Sequence, residues 1–325
     1  MTPTRRRFLQ GAAAAAAGFA APQLATAQAW PSRPPRWIVG FPPGGGADIV
    51  SRIMAPWLSE RLGQPVIVEN RPGAASNISV QAVANSPPDG YTLLFVPVSA
   101  TVNATLSQNL PYNLLRDIAP VSGLIDFPFV LVANPAVPAK NVAELIAHAK
   151  ANSGKVTLAS FGTGSSSHVA GELFKMMAGI NMPHVPYRGG APMVTDLISG
   201  QVHTGIDVLT GSQAHIKSGA LRVLAVLGKT RSEFLPDVPT IGETVAGYEA
   251  NSWCGLGVPR GTPPEIIERI NREINAGLAD PAVKARLAQV ATTPILFTPA
   301  QFGAYMASEV DKWSKVIRTV GIKPE

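Results

Sequence analysis

Short apolar runs alternate with stretches in which apolar side chains recur every three or four positions, from about residue 36 to the end of the chain. Runs of the first kind predict strands at 36–41, 65–68, 91–96, 155–160, 184–187, 204–208, 221–227 and 252–258, with extended chain over 121–133. Helical spacing predicts helices at 48–62, 78–84, 142–151, 167–178, 192–199, 264–278, 281–289 and 299–320. Alternation of this kind calls for sheets with helices on both faces, because each apolar strand face needs a helix to cover it. Two apolar extended stretches, 130–135 and 252–259, end at Pro135 and Pro259, where regular structure stops. Read as crossings between lobes, they predict an α/β protein of two lobes, each a mainly parallel sheet flanked by helices, with a ligand cleft between. Lobe 1 is then 28–132 with 255–325, and lobe 2 is 133–254.

The first 27 residues depart from this pattern. Arg5, Arg6 and Arg7 precede Phe8 and Leu9, an alanine-rich run follows, and Ala25-Thr26-Ala27 has the small-x-small form that a signal peptidase cuts. Basic, apolar and small segments in that order read as an export signal, and the tandem arginines point to the twin-arginine route. The apolar run is shorter than the ~20 residues that cross a bilayer. The expectation is a leader over residues 1–27, cut near Ala27, and a soluble periplasmic chain from about Gln28. The leader also alters the charge: of 27 Lys+Arg against 21 Asp+Glu, three arginines lie in it, leaving 24 − 21 = +3. Those charges are dispersed, unlike the basic stripe of a nucleic-acid binder. The single cysteine, Cys254, excludes an internal disulfide and reads as a small core residue.

Candidate chemistry lies where predicted strands pass into helices. Phe41-Pro42-Pro43-Gly44-Gly45-Gly46-Ala47-Asp48 is such a passage. Glycines let the backbone approach a ligand, Asp48 is placed to cap the following helix, and the free N–H groups of a helix start form an anion site. No Gly-Lys-Ser/Thr follows, so this is not a phosphate loop. Ser160-Phe161-Gly162-Thr163-Gly164-Ser165-Ser166-Ser167-His168 repeats the arrangement with hydroxyls added, Ser167 being either a ligand contact or an N-cap. His168 and Glu172 stand one helical turn apart and read as a surface pair. A third passage runs through Tyr187-Arg188-Gly189-Gly190, and Asp207 ends the strand at 204–208. That acid would receive an ammonium or hydroxyl of a ligand, or cap the next helix. The five histidines have no metal-ligand spacing, no carboxylate pair stands out, and no Gly-x-Ser-x-Gly elbow is present. Neither metal, cofactor nor catalytic residue is expected.

The chain resembles the tripartite tricarboxylate transporter receptors, also called the Bug family of extracytoplasmic solute receptors. The resemblance is carried by Phe41 to Asp48, Val68-Glu69-Asn70-Arg71-Pro72-Gly73-Ala74, Pro88-Asp89-Gly90-Tyr91-Thr92-Leu93-Leu94, Leu235-Pro236-Asp237-Val238-Pro239-Thr240, Ser167 to Phe174 and His184 to Gly189. It implies a non-enzymatic two-lobe receptor of the type II-like periplasmic binding protein fold that hands a small carboxylate (a di- or tricarboxylate, an amino acid or an aromatic acid) to a two-subunit membrane permease; a monomer is expected. It further implies ligand contacts at Gly45, Gly46, Ala47 and Asp48 in one lobe, with Pro43 and Gly44 in the same loop. Thr163, Ser165 and Ser166, with residues near Asp207, would serve in the other, and Phe161 and Tyr187 join the candidates. Ala47 stands where Thr is common in the family, which keeps the amide but removes a hydroxyl, and Thr163 stands where Asn is common. Phe161 would stack on an aromatic acid or belong to the core. Two other readings stay open: a receptor that presents its solute to a membrane sensor kinase, and a transferase on the same scaffold.

Overall fold

The structure, a computed structural model, describes residues 30–106 and 109–321. The predicted leader at 1–27 lies outside the described residues. In the first part of the chain come β1 (Arg36–Val39), β2 (Ile67–Asn70), β3 (Thr92–Pro97) and β4 (Ile118–Phe127). They are followed by β5 (Phe129–Ala133), β6 (Leu158–Ser160), β7 (His184–Pro186), β8 (Thr204–Val208) and β9 (Arg222–Val226), then by β10 (Ser252–Pro259) and β11 (Thr293–Pro294). One sheet has the order β11-β4-β10-β3-β1-β2 and the other β7-β6-β8-β5-β9. The two-sheet α/β architecture agrees with the sequence reading.

Both sheets are mixed rather than mainly parallel. The strand–helix–strand units β2-β1-β3 and β7-β6-β8 are parallel. The strands that carry the chain across are not: β10 runs against β3 and β4, and β5 runs against β8 and β9. The cause is the direction of entry. Residues at the carboxyl ends of β1, β3, β6 and β8 line the space between the sheets. A strand entering a lobe from that space must run opposite to strands that end there. The crossings fall at Pro128, between β4 and β5, and just before Ser252, where β10 begins. The expected boundaries at 132/133 and 254/255 instead fall inside strands that each belong wholly to one sheet. Proline carries no N–H for a ladder, so Pro128 is where strand pairing can change sheets.

In β5, Phe129, Leu131 and Ala133 pack into one apolar cluster, while Val130 and Val132 pack into another on the opposite face. That two-sided burial is why the strand reads as continuous apolar residues rather than an alternation. The helix Val98–Leu106 follows β3 without a break and was not foreseen. Its β-branched Val98, Thr101 and Val102 disfavour a helix locally, but it is packed against the final helix Pro299–Val320, and tertiary burial overrides a propensity of a few tenths of a kcal/mol per residue. The final helix starts at a capping box of Thr298 and Gln301 and also reaches the helix Ser166–Ala178 of the second lobe. Among the described residues no helix is long and apolar enough to cross a membrane.

Candidate functional site

Helices start beside the gap between the sheets at Gly46, Ser166, Gly190 and Leu209. They surround a cavity of about 300 Å³ that the first lobe lines with Gly44 to Ala47, Phe95, Phe127 and Trp253, among others. Ser166, Gly190, Val194, Asp207 and His215 contribute from the second lobe. The lobes touch closely here. A Cβ on Gly46 would lie 2.7 Å from Val208 Cγ2, and one on Gly189 would lie 2.6 Å from Pro42 Cδ.

The first glycine loop leaves its helix bare. Gly45 is the N-cap of the helix Gly46–Leu62 and offers no side chain to it. The first amides of that helix are therefore available to a ligand. Asp48 does not cap the helix as expected, because the helix begins two residues earlier and Asp48 falls within its first turn. Its carboxylate turns under the loop instead. It accepts from Gly44 N–H at 3.0 Å, Asn70 Nδ2 at 3.0 Å and Arg52 Nε at 2.9 Å. Burial works to raise its pKa, but the bonds from Arg52, Gly44 and Asn70 outweigh it and hold the carboxyl below the ordinary value. Asn70 Nδ2 also bonds the carbonyl of Phe41, tying the loop to β2.

The second glycine loop is held by serine hydroxyls and imidazoles. Ser165, not Ser167, is the N-cap, its Oγ accepting from His168 N–H at 3.2 Å. Ser167 Oγ accepts from Phe161 N–H at 2.9 Å and lies 3.1 Å from Ser165 Oγ. Ser160 Oγ accepts from Gly162 N–H and lies 2.6 Å from His184 Nε2. His168 Nδ1 accepts from Gly164 N–H at 3.2 Å, and its ring stacks on His184 with centroids 4.0 Å apart. His168 is therefore buried rather than part of a surface pair, although its Nε2 does face Glu172 at 3.6 Å. Burial, then the neighbouring His168, lowers the pKa of His184 to about 4.

Asp207 is 1% exposed. It accepts from Ser212 Oγ and from Val208 N–H at 2.8 Å, and no Lys, Arg or His pairs with it among the described residues. Burial pushes its pKa up to about 6, against the pull of those two bonds. Phe161 lies between two spaces, with its ring 6.4 Å from Phe41 and 6.4 Å from Phe129. Beyond it a second cavity of about 340 Å³ is lined by Thr163, Tyr187, Arg188 and the turn Ala74–Ser76. That turn holds consecutive left-handed residues at φ 46, 49 and 78. The Tyr187 hydroxyl is committed to Asp196 at 2.7 Å, and burial, then that acid, pushes its pKa up to about 12.

Of the candidates, Gly44, Gly45, Gly46, Ala47, Phe161, Ser166 and Asp207 line the first cavity. Thr163 and Tyr187 line only the second. Pro43, Asp48 and Ser165 line neither, the latter two being buried supports of the loops. Sequence reasoning missed the wall of Phe95, Phe127 and Trp253. Strand β3 passes into its helix without a glycine, so the signal that marked the other passages is absent. Among the described residues no group of three or more His, Cys, Asp or Glu side chains is placed to hold a metal ion.

Comparison with known proteins finds relatives along most of the chain. The model of the "Tripartite tricarboxylate transporter family receptor" matches residues 50–322. Protein BugT of Bordetella pertussis is 41% identical, with 99% of each chain covered. Among solved structures, Rhodopseudomonas palustris Rpa4515 with adipate is similar at 35% identity and TM-score 0.89, covering 91% of this chain and 100% of that one. MatC from the same organism, with bound malate, is similar at 27% identity and TM-score 0.84, covering 89% and 100%.

Proposed function

This chain belongs to the tripartite tricarboxylate transporter family of receptors, and on that premise we propose that it captures a small carboxylate in the periplasm for a two-subunit membrane permease. The observation that carries the reading is the helix start at Gly45–Gly46, which lacks a side-chain cap and opens into a cavity between the lobes. A carboxylate there accepts from main-chain amides at the positive end of a helix, without a buried arginine. The cleft opens and closes about Pro128 and the segment before Ser252, and closure brings Ser166 and Asp207 onto the solute. Residues 1–27 serve as a twin-arginine leader cut near Ala27, the receptor works as a monomer, and it needs no metal, cofactor or catalytic step. The carboxylates bound to the two Rhodopseudomonas relatives support this ligand class.

Thermal unfolding of the protein from Gln28 onward, with mono-, di- and tricarboxylates and neutral sugars, tests the reading. A carboxylate at 100 times its dissociation constant stabilises by about 2.7 kcal/mol. If sugars raise the transition and no carboxylate does, the anion site is refuted.

A further inference from the structure

Ala291 has a left-handed backbone, with φ 55, and no exposed surface. That backbone is costly for a residue with a Cβ, whereas glycine adopts it freely. The methyl group responsible for the cost is buried in the apolar cluster of the other lobe. Val130, Val132, Leu209 and Val226 are among its members, and every buried member except Ala291 lies between Pro128 and Ser252. The turn that presents the methyl is held in shape from the helix Pro281–Gln289: the N–H and Oγ1 of Thr292 both donate to the Leu287 carbonyl, at 3.2 and 3.0 Å. On either side of Ala291 a hydrogen bond also reaches the second lobe. Thr210 Oγ1 donates to the Val290 carbonyl at 2.7 Å, and Thr293 Oγ1 donates to Glu233 Oε1 at 3.1 Å.

The place of this turn matters. In the first sheet β11, β4 and β10 are neighbours, with Thr293 opposite Asp126 and Phe127 opposite Ser252. Asp126 and Phe127 lead into the crossing at Pro128, and the other crossing ends at Ser252. Just past Pro128 the second lobe is tied back to it, since Leu209 N–H donates to the Pro128 carbonyl at 2.8 Å. The segment Val290–Thr293 therefore lies beside both crossings, although the chain does not pass between the lobes there. Two adjacent strands form a narrow strap that can twist as well as bend, whereas three span about 10 Å and resist twisting. Thr210 faces the cleft as well: a Cβ on Gly46 would lie 3.4 Å from Thr210 Cβ. The residue held by Val290 is thus one that the first glycine loop meets.

We propose that the turn Val290–Thr293 is a third, non-covalent strand of the hinge, seated in the second lobe through Ala291 and Thr210 whether the cleft is open or closed. It restricts the lobes to bending, so that Gly46 returns to Val208 and Thr210 at each closure. Thr210 and Ala291 are then positioning residues that act on the site through the hinge. The assignment rests on the closing-receptor reading above and adds to it what fixes the direction of closure.

The test reads distances between the lobes by electron paramagnetic resonance, in the protein from Gln28 onward without added solute. Spin labels are placed at Glu60→Cys and Lys150→Cys, one exposed helix position in each lobe, while Cys254 is buried. Ala291→Gly relaxes the backbone but removes the buried methyl. Thr210→Val keeps the shape of the side chain and removes the hydroxyl, and Thr210→Ser keeps the hydroxyl. The distance distribution is expected to broaden about twofold in Ala291→Gly and in Thr210→Val, and to keep the parent's width in Thr210→Ser. A turn that mattered only for folding would change the unfolding temperature alone, so an unchanged width in either of the first two variants overturns the third strand. A shift of the whole distribution to longer distance without broadening overturns it too, because the turn would then be a latch that parts as the cleft opens. Either variant decides the matter if the other does not fold. Failure of the carboxylate reading registers separately, in the thermal series above, because none of these distances requires a bound solute.

Discussion

The two glycine loops look alike in sequence and are supported in opposite ways. Under the first lies an ion pair, Asp48 with Arg52, whose carboxylate also holds Gly44 N–H and Asn70. Beneath the second lie serine hydroxyls and two stacked imidazoles, His168 and His184. In both, the acid, histidines and serines that shape the loop face inward, and backbone amides or one hydroxyl are left for the cavity. A loop that grips by main-chain groups needs its polar side chains as struts, and either an ion pair or hydroxyls and imidazoles suffice.

The largest expected effect comes from filling the space where the lobes meet. Gly46→Val puts a branched side chain against Val208 of the other lobe, where even a Cβ would lie 2.7 Å from Cγ2. The lobes can relieve that clash by opening, so ligand affinity should fall on the order of a hundredfold, about 2.7 kcal/mol, while the unliganded protein unfolds at nearly the parent temperature. A substitution that lowers stability as much as affinity would show that the contact is not between moving parts.

The struts themselves are compared by Asp48→Ala and Ser165→Ala. Loss of Asp48 leaves Gly44 N–H without its acceptor and removes one of the two bonds from Asn70 Nδ2, at a cost of about 2 kcal/mol in denaturant unfolding. Loss of Ser165 removes one N-cap, at about 1 kcal/mol. Added salt should weaken the parent's margin over Asp48→Ala and leave that over Ser165→Ala unchanged, because only the first includes an ion pair, with Arg52 half exposed. Equal salt responses would erase the distinction between charged and neutral support.

Acidity separates two further groups of the second lobe, the buried Asp207 and the half-buried His184. The folded-state pKa of Asp207 is raised to about 6 from an ordinary 3.8, so the native state binds its proton more tightly and stability falls as pH rises from about 4 to 6. For His184 the folded value is lowered to about 4 from 6.5, so its contribution is present above about 6.5 and is lost as pH falls toward 4. The two slopes oppose each other across nearly the same window. Relative to the parent, the stability of Asp207→Asn should therefore rise with pH between 4 and 6, and that of His184→Gln should fall, each by up to about 1.4 kcal/mol per pH unit. Parallel profiles for the two variants would contradict the opposed burial effects.

Much of the architecture was legible. Helical spacing placed 142–151, 281–289 and 299–320 at their observed limits, because each starts at a capping residue or proline and keeps an apolar stripe. Local signals failed at Val98–Leu106, where propensity and environment disagree, and at the crossings, where β4 and β5 form one apolar run and the change of sheet at Pro128 leaves no break in hydrophobicity. Within the site, position at a strand end identified the glycine loops and Asp207. It did not tell which serine faces the cavity: Ser165, Ser166 and Ser167 are chemically identical, and one residue of helical rotation, about 100°, decides.

By itself the sequence determined the α/β alternation, the family, and the places where strands yield to helix starts, since these depend on periodicity and on residues such as glycine and proline whose backbone limits are local. Only the tertiary structure decided that Asp48 turns under its loop, that His168 is buried against His184, that Trp253 closes the cavity, and that Asp207 is buried without a cation. Each of those depends on which distant segment lies opposite, and charge, burial and hydrogen bonding take their values from that neighbour rather than from the residue alone.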